Sequence, residues 1–340
     1  MFIRTRSLFL QIVLTCALPA LSLAQTLSVE EIIPEFTPAE ESGLRRAFAQ
    51  FTSANVVFTE RNAASSGNFA FDRGDTDISV LHVPLTHTFG TKGDSQRLQI
   101  RAALGYLKST GSSTALYDLS EQLELEDPSL FSFENQPDFE NNESTSLSLG
   151  LGLVLEPIQG LQITPALDAV WTHVRREFDA NNLVSKLVAT RYDRDIFNNS
   201  TEAISYSPSL LVSYQIPVTD WLKLKPSVMY THIWSEDLWS KSRYGRFSID
   251  SGVIQAGIAA TLPLPFELLA GSGAFLRPNL QLTDLHGAVT KSVGTNTFVE
   301  YGIELGTSLQ DQIISEISLG FTYVNAKNFD GSRLSLAIEW

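Results

Sequence analysis

The chain has 340 residues, with Lys+Arg 24 against Asp+Glu 38 and a formal net charge of −14. Such acidity argues against a nucleic-acid binder, which must neutralise phosphates, and no stretch past the N-terminal segment reaches the ~18 apolar residues of a membrane helix. Cys16 is the single cysteine.

Arg4 and Arg6 precede an apolar run from Leu8 to Leu21, and Ser22 and Ala24 are the small residues before a cleavage point. Residues 1–24 read as a secretory signal peptide. Its loss takes the charge from −14 to −16, since two arginines go with it. The residues before Cys16, "VLT", fit a lipoprotein acceptor poorly, so the cysteine is discarded with the signal. The mature chain then has no disulfide, iron–sulfur or zinc–thiolate chemistry. A secreted chain of this composition is either soluble or a β-barrel.

Residues 25–50 form an N-terminal segment with one helix. Thr37 caps it, Pro38 takes the first helical position and Glu40 completes a capping box. Leu44, Phe48 and Phe51 make its apolar stripe, and Arg45 and Arg46 are its cations.

From residue 51 to 340 the period becomes two. Leu147, Leu149, Leu151, Leu153 and Leu155 alternate with Ser146, Ser148, Gly150, Gly152 and Val154, and Tyr206, Leu210, Val212 and Tyr214 with Ser205, Ser209, Leu211 and Ser213. Similar repeats fill 161–172, 222–231, 254–262, 276–282, 299–305 and 313–323. Several run to about a dozen residues, whereas soluble strands average about five or six and a tilted membrane strand needs about nine to eleven. Upstream, 98–106 is clear, 76–89 has a phase broken by His82 and Pro84, and a first strand is placed near Phe51 to Arg61.

The expectation is an all-β, closed antiparallel transmembrane β-barrel of about twelve strands, ten being conceivable, with the helix at or in the pore. Strands survive in hydrocarbon only when the sheet closes on itself. Tyr106, Trp171, Tyr206, Tyr214, Tyr230, Trp234, Tyr301 and Tyr323 sit where aromatic girdles meet headgroups. Short links near 90–96, 156–160, 217–220, 265–269 and 310–312 alternate with longer ones at 110–143, 177–200, 236–248 and 286–297. That places both barrel ends of the chain in the periplasm.

The chain ends on a dyad strand in which Leu334, Leu336, Ile338 and Trp340 share one face. It resembles the assembly signal of Gram-negative outer-membrane proteins, with Trp in place of the more usual terminal Phe. Twelve strands after a helix also resemble the translocator barrel of autotransporters, over about residues 37 to 340. Few residues precede the helix, so the likeness is to a solitary barrel without a passenger. It implies residence in the bacterial outer membrane, insertion by the barrel-assembly machinery, and lipid and lipopolysaccharide as surroundings.

Inward charges fall at Arg101, Asp168, Lys223, Lys225, Arg277, Glu300, Glu304 and Glu316. They line a charge-selective pore, or they pair with one another and with Arg45 and Arg46 in a lumen plugged by Leu44 and Phe48. The plugged reading is preferred, because ionisable groups inside a membrane are costly unless wet or paired. The expected function is non-enzymatic: a gated or plugged small pore, or a structural and surface-interaction barrel. The alternative is an outer-membrane lipase or protease acting from loop residues. His82, His87, His173, His232 and His286 are dispersed without metal-ligand spacing, so no cofactor or metal is expected. The acidic stretch from Asp118 to Thr145 has no EF-hand spacing.

Overall fold

The computed structural model describes residues 64–71, 76–91, 94–113, 138–181, 186, 189–190, 192–195, 197–242, 246–268, 272–293, 295–309, 314 and 316–339. Strands follow in the order β1 (Ala64–Phe71), β2 (Thr76–Phe89), β3 (Gln96–Ser113), β4 (Asp138–Ile158), β5 (Leu161–Asp179), β6 (Ser200–Tyr214), β7 (Ile216–Thr219) and β8 (Leu222–Ser240). They continue as β9 (Ser248–Pro263), β10 (Gly273–Gly287), β11 (Thr297–Ser308), β12 (Glu316–Ala326) and β13 (Phe329–Glu339), with helix α1 (Ala288–Val293) after β10.

All thirteen segments share one sheet, in which β1 pairs with β13 and both β6 and β7 pair with β8. β6 and β7 are two lengths of one stave, interrupted at Gln215, whose N–H donates to the Gly160 carbonyl at 2.8 Å. The result is a closed barrel of twelve antiparallel staves, with no free edge left to pair elsewhere. Ala64 opposite Leu336 through Phe71 opposite Phe329 form the closing seam.

The dyad follows from lipid outside and packing inside. Leu149 and Leu151 on the outer face of β4 are 60% and 59% exposed, while Ser144 and Ser146 on its inner face are 1% and 3% exposed. β2 obeys the same rule: Leu81, Val83 and Leu85 face out and His82 is buried inward. The phase that His82 and Pro84 obscure in the sequence is therefore regular. The placement of a first strand near Phe51 to Arg61 lies outside the described residues, and the stave that pairs with β2 and β13 is Ala64–Phe71. Its outer face is Ser66, Asn68 and Ala70, which carries no lipid-like stripe to read.

One rim, the turn rim, is where β2 leads to β3, β4 to β5, β7 to β8, β9 to β10 and β11 to β12, together with the last residues of β13. At the other, the loop rim, β1 leads to β2, β3 to β4, β5 to β6, β8 to β9, β10 through α1 to β11, and β12 to β13. Several staves run further toward the loop rim than the sequence indicates: residues 110–113, 138–143, 177–179 and 236–240 are strand, not loop. β4 alone has 21 residues, roughly 70 Å along the strand and about 50 Å of height at a tilt of about 45°, against an apolar band of about 25 Å. Above the band both faces are polar, as in Asn141, Asn142 and Glu143, so the apolar dyad fades while backbone pairing continues.

Candidate functional site: a two-tier lumen

Toward the turn rim the inner face is charged. Arg277 is the centre of one network: Nη1 and Nη2 donate to the two carboxylate oxygens of Glu316 at 2.8 and 3.0 Å, and Nη1 also reaches Glu304 at 3.2 Å. Its guanidinium carbon lies 4.5 Å from the Phe275 ring centroid. This two-pronged geometry suits a planar guanidinium and no other cation. Across the lumen, Arg101 meets the buried Asp168 at 3.2 Å. Asp168 has room because its register partner on β4 is Gly150, where a Cβ would collide with the carboxylate.

Higher up, Glu300 accepts from Gln281 at 2.9 Å and lies 3.4 Å from Arg333. Arg333, on the inner face of the last strand, is a further lumen cation that the alternation of the terminal strand shows. Lys223 and Lys225 point inward at the turn rim and are exposed, with no carboxylate among the described residues in ion-pairing range. The structure therefore joins Arg101 with Asp168, Arg277 with Glu304 and Glu316, and Glu300 with Arg333, and leaves the two lysines at a wet mouth.

Toward the loop rim the inner face changes character. Val80, Leu107, Val170, Ile233, Val253 and Leu285, each on a different stave, are buried and pack into one cluster with Phe69, Phe298, Val324 and Phe329. α1 turns in over them. Val289 is 0% exposed, and its N–H donates to Ser251 Oγ at 3.2 Å. Phe329 packs against Phe69 and Phe298 at centroid distances of 6.2 and 5.8 Å. The expectation of a wet inner face thus holds only for the turn-rim half.

The sequence carried a signal for this layer. Val80–Leu81, Val170–Trp171, Ile233–Trp234, Val253–Ile254 and Val324–Tyr323 are adjacent apolar pairs at one height, where the dyad becomes apolar on both faces.

Outside, Tyr206 faces Trp234 and Tyr301 faces Tyr323 across strand pairs, all four exposed. Near the turn rim Phe89, Tyr214, Trp221 and Phe266 are exposed as well. Leu334, Leu336 and Ile338 line the outer face of β13. Trp340, Leu44, Arg45, Arg46 and Phe48 lie outside the described residues, as does most of the acidic stretch from Asp118. Among the histidines, His173 lies 3.7 Å from Glu202, His286 lies 3.1 Å from Asp284, and His232 shares a 3.2 Å hydrogen bond with Tyr230. Among the described residues no group of three or more His, Cys, Asp or Glu is placed to hold a metal.

Comparison with known proteins matches residues 49–339 to a family described as the solitary outer membrane autotransporter beta-barrel domain. No curated protein matches the chain by sequence. Among solved structures, the translocator domain of the autotransporter NalP from Neisseria meningitidis is similar at TM-score 0.52 and 10% identity, over 88% of this chain and 96% of that one. The transport unit of the Escherichia coli autotransporter AIDA-I gives 0.51 and 12%, over 90% and 100%. The β domain of the Bordetella autotransporter BrkA gives 0.50 and 10%, over 82% and 97%. At these identities the likeness is one of fold.

Proposed function

We propose that this chain, which belongs to the solitary outer membrane autotransporter β-barrel domain family, is a non-enzymatic barrel of the bacterial outer membrane whose lumen is sealed on the loop side. The loop rim faces the cell surface and the turn rim the periplasm. The distribution of connections supports this orientation, because bacterial barrels keep short turns inside and longer loops outside.

The observation that carries the proposal is the apolar layer of Val80, Leu107, Val170, Ile233, Val253, Leu285 and Phe298 beneath α1. An apolar constriction holds water poorly and blocks ions without any charged gate. The polar half below it is a blind vestibule opening to the periplasm. On the sequence evidence, the helical stretch bearing Leu44, Arg45, Arg46 and Phe48 is proposed to enter that vestibule, its arginines meeting the carboxylates there. The final strand, with Leu334, Leu336, Ile338 and Trp340, is proposed to be what the barrel-assembly machinery reads. A hydrolase acting from the loops finds no support in His173, His232 and His286, whose polar partners are Glu202, Tyr230 and Asp284 and not a serine.

Conductance in planar bilayers tests the seal. The wild-type barrel is expected to show no steady ion current, and Leu285→Ser with Phe298→Ser is expected to open one. A wild type that conducts steadily overturns the proposal.

A further inference from the structure

The outer face of β5 changes chemistry step by step toward the loop rim: Leu167 and Ala169, then Trp171, then His173, then Arg175. His173 stacks on Trp171 with centroids 6.2 Å apart and planes 22° from parallel. The Arg175 side chain is 63% exposed and ion-pairs with Glu177. On β8 and the turn after it, Trp239 is exposed and Lys241 Nζ stands 5.9 Å from its ring centroid. Two backbone hydrogen bonds draw these elements together: Arg176 N–H donates to the Asn199 carbonyl at 2.8 Å, and Lys241 N–H to the Ser200 carbonyl at 3.0 Å.

Between them lies a depression of about 480 Å³ lined by His173, Arg175, Arg176, Asn198, Ser200 and Lys241, with Glu177 as its one carboxylate. Arg175 and Lys241 are its exposed permanent cations, while Arg176 has Glu140 as a charged neighbour and His173 lies 3.7 Å from Glu202. Among the described residues no carboxylate lies in ion-pairing range of Lys241, whereas Lys108 at the same height has Glu143 at 3.8 Å.

We propose that this depression binds the phosphate of an outer-leaflet lipid headgroup. The exposed Trp171 and Trp239 set the depth, since indoles settle at the headgroup level. Acyl chains then lie along Leu167 and Leu210, and a phosphate just above the indoles meets Arg175, through a guanidinium that can grip two oxygens at once, and Lys241 as a point charge. Asn198 and Ser200 add neutral polar groups. The choice of leaflet rests on the orientation proposed above.

The test is native mass spectrometry of the folded, detergent-released protein with diphosphoryl lipid A and with its dephosphorylated form as probes. Wild type is expected to prefer the phosphorylated probe. Arg175→Gln with Lys241→Gln is expected to weaken that binding roughly ten-fold or more, Arg175→Lys with Lys241→Arg to keep most of it, and Lys223→Gln with Lys225→Gln at the other rim to leave it unchanged. Equal binding by the double glutamine variant, equal loss of both probes, or full competition by inorganic phosphate overturns the site.

Orientation is read separately, by labelling Lys186→Cys on intact cells with a membrane-impermeant thiol reagent. Lys186 is exposed on the loop-rim connection. Labelling without lipid binding overturns the site alone, whereas absence of labelling overturns the surface-facing orientation and with it the choice of leaflet.

Discussion

Phe69 on β1 lies across Gly331 on β13, its register partner in the seam that closes the barrel. A Cβ at Gly331 would come within 2.5 Å of Phe69 Cδ1 and 2.6 Å of the Asn68 carbonyl. The ring covers the bare backbone of one strand while its edge joins Phe329 in the apolar layer. One contact thus ties barrel closure to the sealing of the lumen, as aromatic cover of an unhindered glycine does in other sheets.

Gly331→Ala is therefore expected to destabilise the folded barrel by about 1–3 kcal/mol through overpacking, and Phe69→Ala by about 3–5 kcal/mol through the cavity it leaves. Combining Gly331→Ala with Phe69→Ala is expected to cost less than the two single changes added together, because removing the ring relieves part of the clash that the added methyl makes. Urea midpoints of refolded protein in micelles, followed by the gel shift between folded and heat-unfolded forms, measure all three.

A second expectation concerns Arg277 and Glu316, joined by two hydrogen bonds at 2.8 and 3.0 Å. Arg277→Gln leaves Glu304 and Glu316 facing one another, so it is expected to cost more than Glu316→Gln. A double-mutant cycle should give a coupling of about 1–3 kcal/mol. Additive costs would mean that the water of the vestibule screens the pair fully.

The third rests on Gly150, which leaves room for Asp168 and so for its pairing with Arg101 at 3.2 Å. Gly150→Leu is expected to displace the carboxylate and lower stability by roughly 1–3 kcal/mol. In an Asp168→Ala background the same substitution should be much milder. The readout is again the urea midpoint.

How far the sequence discloses the fold depends on what each strand faces. Staves with one face in lipid and one in a polar lumen, such as β4 and β6, repeat strictly and can be read directly. β1 has neither an apolar outer stripe nor length, and its place is fixed by pairing with β2 and β13, which no local pattern records. The tails of β3, β4 and β8 above the membrane are invisible for the same reason: their order comes from backbone hydrogen bonds between polar neighbours.

The charged lumen residues are legible as types, because Arg101, Asp168, Arg277 and Glu300 interrupt small and polar inner faces. Their partners are not legible, since Glu316 meets Arg277 from two staves away. The apolar layer is the least legible feature. Expecting a wet interior treats Val170, Ile233 and Val324 as breaks in the dyad, whereas ten such residues at one height make a floor across the barrel.

The most direct test of a sealed lumen is sided labelling of a single cysteine below the layer. Cys16 is the chain's only cysteine, so with Cys16→Ser in the background Lys223→Cys reports alone. Lys223 is exposed in the lumen at the turn rim. In liposomes of known insertion side, a small charged thiol reagent applied from the turn-rim side is expected to label Lys223→Cys quickly. Applied from the loop-rim side it is expected to leave that cysteine unmodified until Leu285→Ser and Phe298→Ser are added. Rapid labelling of the otherwise wild-type barrel from the loop-rim side would contradict the sealed lumen.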